Sequence, residues 1–157
     1  TTQACLRFLD ALAAEDAGRS VLDMGCGSGI LAIGARLLGF ADVRGFDNDP
    51  DCIAVANENA AANGVSIPFA LDDLSHPHPA ADVVAANILA PVLTAFAPQI
   101  AASVGPGPRA RLVLSGILDE QYADVRAAFE AQGFVEVESL LLEIWRSGLF
   151  KRRALVH

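Results

Sequence analysis

The sequence predicts an α/β domain built on a doubly wound, mostly parallel sheet of seven strands, with an antiparallel hairpin at its C-terminal edge. Three observations carry this. Apolar runs of strand length alternate with amphipathic helical stretches as far as residue 132, the pattern of parallel strands joined by helices that cover both faces. The run Val21-Leu22-Asp23-Met24 feeds into the glycine-rich turn Gly25-Cys26-Gly27-Ser28-Gly29 and then at once into a helical stretch from Ile30, a strand–turn–helix junction. After residue 132 two strand-like runs follow with only a short connection, which implies an antiparallel pair, because parallel neighbours need a long crossover.

Each element has its own local reason. Residues 2–15 read as an amphipathic helix, with Cys5, Leu6, Leu9, Leu12 and Ala13 on one side. Strand one is 20–24 and the next helix 29–38; strand two, 42–47, ends on Asp47. Asp49-Pro50-Asp51 combines an N-cap, a first-turn proline and an acid favoured by the helix dipole. That helix stops at Asn63-Gly64. Val65–Ala70 is expected as strand three, Asp72–Ala80 as a polar loop, and 82–88 as strand four. Pro91–Ser103 reads as one helix with Val92, Leu93, Phe96 and Ile100 inward, and Gly105-Pro106-Gly107-Pro108 as a turn. Arg111–Ser115 is strand five, and Asp119–Gln132 a helix with Tyr122, Val125 and Phe129 inward. Phe134–Leu142 and Ile144–Leu155 are the closing strands.

The chain has 157 residues, of which 53% are apolar, enough for one domain with a large core. One domain is therefore assigned to 1–157. No run reaches transmembrane length and no signal-peptide pattern opens the chain. Cys5, Cys26 and Cys52 have neither metal-binding nor redox spacing, so no metal is expected and a cytoplasmic location is the default. The net charge of −8 opposes a broad grip on nucleic acid and is compatible with a basic protein partner. Lys151-Arg152-Arg153 reads as a solvated strand end.

Gly25, Gly27 and Gly29 crowd three glycines into five residues, and Asp47 follows Gly25 by 22 positions. A glycine loop with a strand-end acid at this distance is how α/β folds hold an adenosine, the acid meeting the ribose hydroxyls. Ile30 stands where a nicotinamide fingerprint needs its last glycine, and no phosphate-binding loop motif is present. Asp23 two residues ahead of the loop suits a zwitterionic amino-acid tail, with loop N–H groups meeting its carboxylate and Asp23 its ammonium or an adjacent water. S-adenosylmethionine has that tail and the ribose. Gly25–Gly29, Asp47, Asp72-Asp73 and Asn87 all fall at strand carboxyl ends, where such sheets bind ligands.

Taken together these residues resemble a class I S-adenosylmethionine-dependent methyltransferase of the Rossmann-like fold. Thr1-Thr2 before a Cys-Leu helix, Asp23–Ile33, Gly45–Pro50, Asn59–Val65, Asp82–Ala90 and Leu114-Ser115-Gly116-Ile117-Leu118 resemble the PrmA-type ribosomal-protein methyltransferases over nearly the whole chain. That family trimethylates lysine side chains and an N-terminal α-amine of a large-subunit ribosomal protein. The resemblance implies S-adenosyl-L-methionine as cofactor, S-adenosyl-L-homocysteine as product and a basic ribosomal protein as partner. It implies cofactor contacts for Thr2, Gly25, Asp47 and Asn87. It also implies a catalytic role for Asn87, whose side chain and a nearby backbone carbonyl would accept hydrogen bonds from the target nitrogen. Related amide and base methyltransferases follow this Asn or Asp with Pro-Pro-Tyr or Phe; here Ile88-Leu89-Ala90 follows, which fits an aliphatic amine. In the family a substrate-recognition domain and a Gly- and His-containing segment precede the two threonines, so the chain reads as the catalytic domain alone. Bland roles are expected for the other polar groups: Asp49 as a cap, Cys26 as a small loop residue, His76 and His78 as solvated, Trp145 as hairpin packing. Asp72 and Asp73 divide between an adenine contact and simple solvation. A nicotinamide enzyme, a glutamine or small-molecule methyltransferase and a non-catalytic module on the same fold are the alternatives.

Overall fold

The computed structural model describes residues 1–154. Seven strands form a single sheet in the order β3-β2-β1-β4-β5-β7-β6. They are β1 (Val21–Met24), β2 (Val43–Asp47), β3 (Phe69–Leu71), β4 (Val83–Asn87), β5 (Arg111–Leu118), β6 (Phe134–Leu142) and β7 (Trp145–Arg152). The first five pair in parallel, and β7 runs antiparallel between β5 and the edge strand β6. The doubly wound fold and the terminal hairpin are thus as the sequence predicts. The winding reverses between β1 and β4, and this places the ligand crevice at their carboxyl ends.

Helices α1 (Thr2–Asp16), α2 (Ile30–Leu37) and α3 (Pro50–Ala62) cover one face. Their Cys5, Phe8, Leu9, Leu31, Ile33 and Ala60 pack with Val21, Val43, Val83 and Val113 of the sheet. The helices α4 (Ala90–Ala95), α5 (Ala97–Ala102) and α6 (Asp119–Glu130) cover the other, with Leu93, Ile100, Val125 and Phe129 against Leu22, Met24, Val84 and Leu112. Alternate residues of β1 and β4 therefore enter opposite cores. That is why these strands read as continuous apolar runs rather than as alternating ones.

Four sequence expectations need correction. Strand three begins at Phe69, not Val65: the Val65 N–H is taken by the Ala60 carbonyl at the end of α3, and Pro68 has no N–H to give a ladder. The helix expected over 91–103 is two, broken at Phe96, because Pro98 removes a backbone donor and its ring collides with the preceding turn. Strand five runs on past Ser115 to Leu118 through a register shift between Leu114 and Ile117. Gly116, at φ 80°, makes that irregularity possible. The last strand ends at Arg152; Leu155, its expected end, lies outside the described residues.

Arg152 also departs from the solvated role expected of its cluster. Its guanidinium donates to the Ala101, Val104 and Gly105 carbonyls at the end of α5 and lies 4.9 Å from the Phe134 ring centroid. No helix of the described residues is long and apolar enough to cross a membrane.

Candidate functional site

All three loop glycines adopt positive φ, 67° at Gly25, 54° at Gly27 and 83° at Gly29, where a side chain is strained. Their surroundings differ. A Cβ on Gly29 would lie 3.0 Å from the Ala56 Cβ and 3.1 Å from Phe69 Cζ, so this glycine lets α2 close on α3 and β3. A Cβ on Gly25 would meet Ile88 Cγ2 at 3.3 Å, which brings the loop against the end of β4. A Cβ on Gly27 would meet nothing within 4 Å; that side of the loop is open.

Several loop donors have internal partners. Cys26 N–H donates to the Phe46 carbonyl, Gly29 N–H to the Cys26 carbonyl, and Gly27 N–H to Asp47 Oδ2 at 2.9 Å. These three amides hold the loop in shape. Asp47 is a brace as well as a candidate ribose partner, because its Oδ1 accepts from Asp49 N–H at 3.0 Å. Each oxygen keeps further acceptor capacity on the half-buried carboxylate. Asp49 caps α3 by accepting from Asp51 N–H, as expected.

Asp23 is strongly perturbed. It is 1% exposed, and its Oδ2 has no hydrogen-bond partner. Burial pushes its carboxyl up from 3.8 to about 7; the Ala32 amide pulls back and the Asp47 charge adds to the rise. A buried acid with an open acceptor and a carboxylate neighbour is the kind of group that a cationic ligand relieves.

At the carboxyl ends of β4 and β5, Asn87, Ile88, Leu89, Gly116, Thr1 and Trp145 line a cleft of about 460 Å³. Leu89 is 64% exposed at its rim. Asn87 ends β4 opposite Ser115. Thr2 lines a groove between α1 and α2 with Leu6, Gly34 and Leu37, and its neighbour Thr1 lines the Asn87 cleft. Trp145 pairs with Leu142 in the hairpin, as expected, and also lines this cleft.

The loop after β3 divides its two histidines. His76 is exposed and ion-paired with Asp72, which raises its pKa and lowers that of Asp72. His78 is not solvated as expected: its ring stacks on Phe46 at a centroid distance of 4.0 Å, and Nε2 meets the Asp73 carbonyl. Asp72 N–H donates to the Asp47 carbonyl, which fixes this loop beside the Asp47 end of the site. Burial pushes the Cys26 thiol up to about 12, which removes it as a nucleophile at neutral pH.

A family model described as ribosomal protein L11 methyltransferase (PrmA) matches residues 1–153. The chain belongs to this family. A ribosomal protein L11 methyltransferase of Azotobacter vinelandii is 52% identical over 134 residues, which are 83% of this chain and 44% of that protein. One from Xanthomonas euvesicatoria is 48% identical over 128 residues, 80% of this chain and 41% of the relative. The solved structure of a ribosomal protein L11 methylase from Lactobacillus delbrueckii subsp. bulgaricus superposes with a TM-score of 0.83 at 30% identity, covering 93% of this chain and 78% of the other. The chain thus spans less than half the length of the curated relatives it matches.

Sequence reading did not bring Gly116, Thr1 and Trp145 into the Asn87 cleft that they line. A glycine inside a strand pattern is itself a signal of a bulge or a close backbone approach, so Gly116 was legible in principle. Thr1 and Trp145 reach the cleft only because α1 and β7 both pack against β5, the neighbour of β4, and no local pattern announces that.

Proposed function

We propose that this chain is an S-adenosyl-L-methionine-dependent N-methyltransferase domain that acts in the cytosol on amines of ribosomal protein L11, its lysine side chains and N-terminal α-amine. The observation that carries the reading is the convergence, at the carboxyl ends of β1, β2 and β4, of an open glycine loop, a buried carboxylate with one unpartnered oxygen and a cleft lined by Asn87. Family membership and the names of the relatives support it.

The residues fit the cofactor. Asp47 offers acceptor capacity for ribose hydroxyls beside the open side of Gly27. Asp23 Oδ2, buried and unpartnered, suits the ammonium of the amino-acid tail or a water that bridges to it. Gly25 and Gly29 hold the loop shape. Bound S-adenosylmethionine supplies an electrophilic methyl on a sulfonium and leaves as S-adenosylhomocysteine. The protein then contributes position and electrostatics. Asn87 Oδ1 and the Ile88 carbonyl accept from the amine nitrogen, so that its lone pair remains for the attack, and the displaced proton passes to water. Leu89 and Trp145 give the cleft apolar walls suited to an alkyl stem. The chain's net charge of −8 suits a basic protein acceptor better than a phosphate backbone.

Calorimetry with S-adenosylmethionine, S-adenosylhomocysteine and NAD tests the cofactor, and the expected order is the first two binding and NAD not. Mass spectrometry of L11 incubated with the chain, and with the chain extended upstream as in its longer relatives, tests the acceptor and counts the methyls. Asn87→Ala should lower turnover far more than cofactor affinity. A folded protein that binds neither sulfonium nor thioether ligand overturns the reading.

A further inference from the structure

Gly116 does more than bend a strand. It lies where β5 slips its register against β7, between Leu114 and Ile117, and it adopts φ 80°. A Cβ there would stand 2.8 Å from the Ile88 carbonyl oxygen, 3.1 Å from the Ile88 carbonyl carbon and 3.2 Å from Asn87 Oδ1. Those two oxygens are the acceptors that the proposed function assigns to the target nitrogen. The backbone of one strand thus presses directly against the catalytic turn of its neighbour, at a distance only a glycine permits.

The bulge is also anchored from behind. Ser115 Oγ lies 2.6 Å from Ser147 Oγ on β7, and its hydroxyl points to the Thr1 carbonyl at 3.4 Å. Both serines are fully buried. With Ser147 donating to Ser115 and Ser115 donating to Thr1, the chain of hydroxyls ties β7, β5 and the start of α1 together beneath the cleft. A buried polar chain with its partners satisfied holds backbone in one place.

We propose that Gly116 is a positioning residue for methyl transfer: the bulge it permits, held by Ser115 and Ser147, sets where the Ile88 carbonyl and the Asn87 amide oxygen stand in the cleft. This rests on the amine-methyltransferase reading. The physical consequence is specific. A side chain at 116 pushes on both acceptors together, and Asp23, Asp47 and the glycine loop are not among the atoms nearest to it. Misplacement by a few tenths of an ångström to an ångström disturbs the attack line, while the Asp23 and Asp47 contacts proposed for the cofactor persist.

The test compares Gly116→Ala with Gly64→Ala. Gly64 also has positive φ, 69°, but a Cβ there would meet nothing within 4 Å, so it reports backbone strain alone. In the upstream-extended protein, with L11 as acceptor, Gly116→Ala should lower kcat by about a hundredfold, with S-adenosylhomocysteine Kd changed by less than about threefold. Gly64→Ala should leave both near wild type. Ser147→Ala adds no volume and touches neither acceptor; it should lower kcat by about tenfold, again with Kd kept. A readout independent of turnover is the Asn87 side-chain amide resonance pair of the free protein. Gly116→Ala and Ser147→Ala should shift it, and Gly64→Ala should not. If Gly116→Ala does not fold, Ser147→Ala and its Asn87 resonances decide alone. Unmoved Asn87 resonances, or losses of kcat and cofactor affinity by one common factor, overturn the proposal. A wild-type protein inactive on L11 overturns the function reading instead, and the resonance shifts still judge Gly116.

Discussion

Asp23→Asn should stabilise the ligand-free protein, and more at alkaline than at acidic pH. The substitution keeps the shape of the side chain and removes its ability to ionise. Asp23 is 1% exposed, and burial raises its pKa from 3.8 to about 7. The folded state therefore holds the proton more tightly than the unfolded chain does. The associated stability is fully present below about pH 4 and is lost as pH rises towards and through 7. Relative to a side chain that never ionises, the wild-type penalty comes to about 2 kcal/mol near pH 5.5 and about 4 kcal/mol near pH 8.5. The stabilising effect of Asp23→Asn should thus grow by about 2 kcal/mol over that interval. Any offset from the asparagine N–H₂ group is independent of pH and cancels in the difference. Urea unfolding of both proteins at the two pH values, with m checked for constancy, measures it. An effect equal at both pH values would show that Asp23 is already ionised in the fold, and with it the reasoning from burial would fall. Addition of S-adenosylhomocysteine should shrink the gap, because an ammonium beside Oδ2 favours the charged form.

Asp47→Ala should weaken S-adenosylhomocysteine binding by at least about tenfold and also loosen the loop, because charge-assisted bonds of about 1.5–3 kcal/mol each are removed from Gly27 and Asp49 N–H; calorimetry reads the first effect and amide exchange at Gly27 the second, and unchanged affinity removes Asp47 from the site. Gly29→Ala should destabilise by about 2–4 kcal/mol, the sum of left-handed strain and overpacking against Ala56 and Phe69, whereas Gly64→Ala meets nothing and should cost about 1 kcal/mol; equal urea midpoints for the two variants refute the packing role. His76 should titrate above its ordinary 6.5 because Asp72 accepts from its ring, and Asp72→Asn should bring the NMR midpoint down; a midpoint that does not move means the pair is not formed in solution.

The backbone of the site was legible in the sequence. Asp23, the three loop glycines, Asp47 and Asn87 stand at strand ends, and strand ends are marked by where apolar runs meet glycine, acid or amide. The Asp49 cap was legible for the same reason, since a cap, a proline and an acid act within one turn. Other features had no local mark. Pro98 breaks a helix that the apolar spacing of Val92, Phe96 and Ile100 continues, and the period outvoted the proline. Ser115-Gly116 looked like the end of a strand, because a bulge in β5 is visible only against its partner β7.

The sequence by itself determined the fold class, the family and the set of candidate groups at the strand ends. Periodicity and turn chemistry act over a few residues, and the motifs preserve them. The tertiary structure alone decided how those groups are employed. It spent the Gly27 amide on Asp47, withdrew Asp23 from water and left one of its oxygens unpartnered. It stacked His78 on Phe46, put Thr1 and Trp145 in one cleft with Asn87, and brought Gly116 up against Asn87. Each of these depends on the distance between residues far apart in the chain. That distance is set by how two cores pack on either side of one twisted sheet.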